Sequence, residues 1–327
     1  MSTANANGSL GLGFLGGPDL RRLVEVGRLA EECGFESLWH AETRITRDSV
    51  TAMTALLLGT RRVRVGSAAV NVYTRGPALT AISWAAMAEA APGRVVLGIG
   101  PGSPDPLAQQ GFAFDHPVSR LVEFVEAVRA AWTHQPPVSY SGRFTRLERL
   151  MPELQPETPP PVYFCVTGPR ALEAAGATAD GVILNAFMPT SYVRAAREKL
   201  DAGAGGSFAG ELGGAMVTAV AGSLAEAAER VRPILATYLV HFPNLARETG
   251  LDPEFLQHLR LRAAEGGGIQ ATFSELPDGL IANHAVLGPP ESCRERLAEY
   301  RAAGMRLPIL FPDPAGAETV ARELAGA

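Results

Sequence analysis

Residues 62–100 read RVRVGSAAVNVYTRGPALTAISWAAMAEAAPGRVVLGIG. Arg62–Val70 is a short apolar run rich in β-branched residues, which predicts a strand. Pro77 stands where a helix takes its first turn, and small and apolar residues carry that helix to Ala91. After the Pro-Gly break, Arg94–Ile99 predicts another strand. Strand, helix and strand in immediate succession form a crossover unit, which places the two strands parallel in one sheet.

The same unit repeats in both directions. Upstream, Ser9–Leu15 and Glu36–His40 predict strands, with helices over Asp19–Cys33, stopped by Gly34, and over Asp48–Gly59. Downstream comes a helix over Val118–Thr133. Val162–Val166, Gly181–Asn185 and Gly213–Ala221 then predict strands that lead into helices from Pro169, Thr190 and Leu224. A helix over Pro290–Ala303 and a strand over Leu307–Phe311 end the series. Eight strands in βα order predict an α/β fold, a (β/α)8 TIM barrel, as a single domain over residues 1–327 with insertions before the last strands. One insertion is proline-rich and lies near 135–161, where SYSGRFTRLE predicts a hairpin turning at Gly142. The other is helical and lies near 225–283. The competing architecture is an open doubly wound sheet. It would be expected to carry GxGxxG after its first strand, and GFLGGPD has the wrong spacing.

Composition sets the outer bounds. The chain has 327 residues, 46% of them hydrophobic and 19% charged, with formal net charge −5. A balance so near neutral predicts neither a nucleic-acid groove nor a polybasic membrane face. No window approaches the ~18 uninterrupted apolar residues of a membrane span. The stretch MSTANANGS lacks the basic start of a signal peptide. Three cysteines, Cys33, Cys165 and Cys293, are too scattered for a disulfide framework or a zinc site. A cytoplasmic protein acting on a small molecule is the expectation.

In a barrel, chemistry sits in the loops after the C-terminal ends of the strands. Here those ends read GGP (16–18), HAETR (40–44), NVYTRGP (71–77), GIGPGS (98–103), TGPR (167–170) and NAF (185–187). Each carries glycine or a polar group. Thr167-Gly168-Pro169 opens a helix, whose free N–H groups suit a phosphate. No GxSxG, HExxH or His-x-His arrangement is present, and the six histidines are scattered. Glycine-lined strand ends without a nucleophile system point to a bound cofactor that carries the chemistry.

At these loops the chain resembles a known family. EECGFESLWHAETR, RVRVGSAAVNVYTRGPA, GRVVLGIGPGS and TGPRALEAAGATADGVILNAF look like the bacterial-luciferase-like flavin- and deazaflavin-dependent oxidoreductases. Within them the likeness is greatest to the coenzyme F-420-dependent methylene-tetrahydromethanopterin reductase branch, and it runs from about Gly11 to Pro312. The resemblance implies a cis peptide near Ala68–Ala69 that supports a flat ring. The acid position of the family falls on Glu42, whose alternative is an ion pair with Arg44, Arg47 or Arg75. Many relatives have a histidine next; Thr43 stands there, able to give a hydrogen bond but not to take a proton at neutral pH. The resemblance also implies a ring bordered by Asn71 and Gly100-Pro101-Gly102. It further implies a phosphate at Thr167, Gly168 and Pro169, and a polar cofactor contact at Asn185. Trp84 and Trp132 read as core.

The implied activity is hydride transfer from deazaflavin coenzyme F-420 to a C=N or activated C=C bond of a small organic substrate. Thr43 and the near-absence of lysine argue against assuming the pterin substrate. An FMN-dependent monooxygenase and a non-enzymatic flavin-binding protein are the alternatives. The resemblance implies a homodimer.

Overall fold

The computed structural model describes residues 9–16, 19–42 and 47–327. In chain order the elements are β1 (Gly11–Leu15), α1 (Leu20–Glu32), β2 (Ser37–Ala41), α2 (Ser49–Gly59), β3 (Arg64–Ser67), β4 (Val70–Asn71), α3 (Pro77–Ala90) and β5 (Val95–Gly100). Next come α4 (Pro104–Ala108), α5 (Pro117–Thr133), the hairpin β6 (Val138–Ser141) and β7 (Arg146–Leu150), β8 (Val162–Cys165), α6 (Pro169–Thr178), β9 (Gly181–Leu184), α7 (Thr190–Gly203) and β10 (Glu211–Val220). The chain continues through α8 (Leu224–His241), α9 (Pro243–Ala246), α10 (Pro253–Ala264), α11 (Asp278–Ala282), β11 (Val286–Gly288), α12 (Pro290–Ala302), β12 (Leu307–Pro312) and α13 (Ala317–Glu323).

Parallel pairing runs from β12 through β1, β2, β3, β5, β8 and β9 to β10, and β10 pairs back with β12. Counting β3 and β4 as two pieces of one strand, the sheet closes as a (β/α)8 barrel, as the repeated crossover units predict. Helix starts are fixed locally. Asp19 accepts the N–H groups of Arg21 and Arg22, Asp48 that of Thr51, and Ser223 that of Glu226, each satisfying a donor the helix leaves open.

The apolar residues divide into two layers. One lies between strands and helices. The other fills the barrel interior with Trp39, Val96, Tyr163, Ile183, Leu307, Ile309 and Phe311. Inward glycines make room for the rings: a Cβ on Gly13 would lie 2.5 Å from Phe311, and one on Gly66 2.4 Å from Trp39. Arg64, Glu211 and Tyr163 plug the end where the strands begin, with the tyrosine hydroxyl donating to Glu211 at 2.7 Å. Trp84 and Trp132 are buried, as expected, and donate to the carbonyls of Val96 and Ala81.

Three local features differ from the sequence reading. The run Arg62–Val70 is not one strand. Gly66 pairs with Val96 but Val70 with Ile99, so residues 67–69 face only 97–98 and one residue is bulged out. In the 225–283 stretch, α8 packs on β10 as the other barrel helices pack on their strands, and the added material is α9 to α11 with two 3-10 turns. The short β11, paired with the end of β10, was not foreseen. The hairpin β6–β7 turns where expected, and Glu123 of α5 accepts the N–H groups of Arg143, Phe144 and Thr145 at that turn.

Candidate active site

The bulge is the centre of the site. Ala68 and Ala69 are joined by a cis peptide bond, at the position the resemblance implies. Their side chains are half-buried, and Ala68 packs on the residues filling the barrel. Ser67 repairs the interrupted pairing: its hydroxyl donates to the Gly98 carbonyl at 2.6 Å and accepts the Gly98 N–H at 3.1 Å. A Cβ on Gly98 would lie 1.7 Å from the Ser67 carbonyl oxygen, so the bulge requires glycine there. Gly100 has a similar cause, because its Cβ would lie 2.7 Å from the Cys165 carbonyl oxygen. The glycines of GIG therefore serve close strand packing, a requirement that stands beside the ligand contact expected for Gly100.

Asn71 and Gly102 are brought together. The Asn71 side-chain oxygen accepts the Tyr73 N–H at 2.8 Å, while its amide nitrogen would lie 2.0 Å from a Cβ on Gly102. Pro101, next to Gly102, is half-buried. Tyr73 donates to the Asp115 carbonyl at 2.6 Å, which ties the loop after β4 to the loop after β5.

At the end of β2, Glu42 makes none of the ion pairs considered for it among the described residues. It accepts the Ser49 N–H at 2.8 Å, at the start of α2. Arg75 pairs instead with Asp48 at 3.3 Å. Burial pushes the Glu42 carboxyl above its ordinary value and nearby Asp48 adds to this, while the Ser49 N–H and Arg75 oppose it. A carboxyl held this way is suited to carry a proton. Thr43 and Arg44 lie outside the described residues.

The helix start at Thr167-Gly168-Pro169 is less open than its sequence suggests. The Gly168 N–H donates to the Tyr192 hydroxyl at 3.3 Å, Pro169 has no N–H, and Ala171 and Leu172 bond back to the Gly168 carbonyl. What remains is the Arg170 N–H and the Thr167 hydroxyl, whose oxygen is buried without a partner. Space beyond Gly168 is open, with no atom within 4 Å of a Cβ built there, but its φ of +76° favours glycine. Asn185 uses its side-chain oxygen on the next N–H, that of Ala186, at 2.7 Å, leaving its amide nitrogen for other partners.

Two groups at this end of the barrel escaped the sequence reading. His40 is fully buried, one residue from the end of β2, and its carbonyl accepts the Ala68 N–H at 2.8 Å. Cys165 ends β8 beside Gly98 and Gly100, and burial pushes its thiol up. Their places at strand ends were the available signal.

The family described as luciferase-like monooxygenase matches residues 2–307 of this chain. The 5,10-methylenetetrahydromethanopterin reductase of Archaeoglobus fulgidus is 28% identical, with 88% of this chain and 89% of that protein covered. The reductase of the same name from Methanolobus tindarius is 25% identical, over 91% of this chain and 92% of its own length. In fold, the chain is similar to the coenzyme F420 dependent tetrahydromethanopterin reductase of Methanopyrus kandleri. That likeness has a TM-score of 0.86 at 22% identity and covers 98% of each chain.

Proposed function

The chain belongs to the luciferase-like monooxygenase family, and from that membership we propose an oxidoreductase that binds coenzyme F420 and reduces a C=N or activated C=C bond of a small organic molecule. The observation that carries the reading is the end-to-end similarity to proteins named as reductases. The residues present fit such a cofactor. Thr167 offers a buried hydroxyl with no partner beside the open space at Gly168, and Ala68 and Ala69 present only methyl groups.

F420, when bound, supplies the hydride. Ala68, Ala69, Asn71 and Gly100-Pro101-Gly102 would flank the ring. The Thr167 hydroxyl and the Arg170 N–H would hold a phosphate oxygen in the open space over Gly168 and Pro169, and Asn185 a polar group of the side chain. Glu42, and in the resemblance Thr43, would orient the ring, with Glu42 holding a proton on its carboxyl for the reduced product. Hydride transfer asks for two planar centres in close, fixed contact, which rigid strand ends favour.

Binding is tested by titrating the protein with F420 and, separately, with FMN. F420 is expected to bind. Thr167→Val removes one hydrogen bond to a charged group, ~1.5–3 kcal/mol, so affinity should fall roughly ten- to a hundredfold. Binding of FMN alone, with oxygen consumed on turnover, would replace this reading by a monooxygenase.

A homodimer in the cytoplasm completes the proposal. Helix α2 carries no charged residue and α3 only Glu89, and on their outer faces Leu58, Leu79 and Ile82 are 71%, 56% and 44% exposed. An uncharged apolar face meets its own copy across a two-fold axis without repulsion. Among the described residues no helix is long and apolar enough to cross a membrane, and the three cysteines are free.

A further inference from the structure

Asn71, Tyr73, Asp115 and Arg120 form a chain of contacts that starts beside the bulge and runs outward to the hairpin. The Tyr73 N–H donates to the Asn71 side-chain oxygen at 2.8 Å. At the far end of the same residue, the phenol donates to the Asp115 carbonyl at 2.6 Å. That carbonyl also accepts the Arg120 Nε–H at 3.1 Å, and Nε and Nη2 of Arg120 each bond the Asp115 carboxylate at 3.1 Å. The guanidinium carbon lies 5.4 Å from the centre of the Tyr73 ring and 4.6 Å from that of Phe144, at the hairpin turn. Tyr73 is thus held at its hydroxyl and over its face.

The other end of Tyr73 decides which way the Asn71 amide points. A backbone N–H can only donate, so the atom facing it is the amide oxygen, and the NH2 group is turned the other way. That nitrogen lies against Gly102, where any side chain would collide with it, and it has no hydrogen-bond partner among the described residues. Asn71 is half-buried in β4, two residues after Ala69. An oriented donor is left over beside the bulge.

We propose that Tyr73, clamped through Asp115 and Arg120, is a positioning residue for Asn71, and that the Asn71 NH2 group donates to an acceptor atom on the edge of the planar ring bound beside Ala68 and Ala69. The inference deepens the proposed function and rests on it for the ring. A donor at this place selects a ring whose edge carries a carbonyl oxygen or an unprotonated nitrogen. Through Phe144, the hairpin bears on the same clamp.

Two variants separate the turn from the donor. Asn71→Asp keeps an oxygen for the Tyr73 N–H and replaces the NH2 group by a second oxygen; Asn71→Ala removes both. In hydrogen exchange without ligand, the Tyr73 amide should be as protected in Asn71→Asp as in the native chain, and faster in Asn71→Ala. F420, added as the probe, should bind Asn71→Asp roughly tenfold more weakly. Arg120→Met should weaken binding in the native chain but add little in Asn71→Asp, because its effect passes through the lost NH2 group. Tyr73→Phe takes its place in this comparison if Arg120→Met does not fold. A Tyr73 amide that exchanges equally fast in all three chains overturns the orientation, and native affinity in folded Asn71→Asp overturns the donor. An Arg120→Met loss undiminished by Asn71→Asp overturns the positioning. Failure of the native chain to bind F420 would instead strike the proposed function; FMN, whose ring edge also carries such acceptors, then probes the same variants.

Discussion

His40 is fully buried, and burial together with the Arg47 charge brings its pKa down to about 4. In the unfolded chain an imidazole titrates near ~6.5. Between these values the unfolded state binds the extra proton, so the contribution is present above about pH 6.5 and is lost as pH falls toward 4. The difference amounts to about 3 kcal/mol, an upper figure. Urea midpoints at pH 7 and pH 4.5 should therefore differ for the native chain, and His40→Leu should remove much of that difference. Glu42→Gln tests a separate matter. If Glu42 delivers a proton, turnover should fall by about 10²–10⁴-fold, with the pH limb of that step erased. Much of this corner could be read from sequence, since Glu42 lies in a strand-end loop whose likeness to the family marks an acid. His40 and Ser49 could not. They lie nine residues apart, one near the end of β2 and the other at the start of α2, and no spacing rule brings residues so separated into contact.

The bulge between β3 and β4 is the element on which the site depends. Ser-Ala-Ala carries too little apolar contrast for an alternation of faces to show, which is why Arg62–Val70 reads as one unbroken strand. The extra residue becomes visible only through the register against β5. The partner glycine makes a sharp prediction. Gly98→Ala places a methyl where the Ser67 carbonyl stands, and overpacking of this kind costs ~1–3 kcal/mol or more. Gly168→Ala meets open space and suffers only from its positive φ, a cost of about 1–2 kcal/mol. Thermal unfolding of both variants should find Gly98→Ala the more damaging; the reverse order would mean that the bulge can move aside. The hairpin β6–β7 was legible because Gly142 marks its turn. The carboxylate of Glu123 that holds this turn was not, being a contact between separate elements.

For the molecule as a whole, eight βα repeats were enough to predict closure, because each crossover constrains the next. The three-residue β11 and the division of the 225–283 stretch were not legible, since neither leaves a repeating pattern. The apolar outer face of α2 and α3 predicts assembly. The native chain is expected to sediment as a dimer, and replacing Leu58 and Ile82 together with glutamate should give a monomer at the same concentration, while helical content stays unchanged. The barrel seam has a further consequence, for the order of events in synthesis. β1 pairs with β12, with Gly11 opposite Ile309, so the first strand made waits for the last. Until residues 307–312 leave the ribosome, β1 offers an unpaired edge, and the space over Gly13 lacks the Phe311 ring that fills it. Contacts so distant in sequence form slowly, and open strand edges recruit other chains meanwhile. A nascent chain halted before residue 307 should therefore aggregate or bind chaperones, whereas release of a few more residues lets the ring of strands shut.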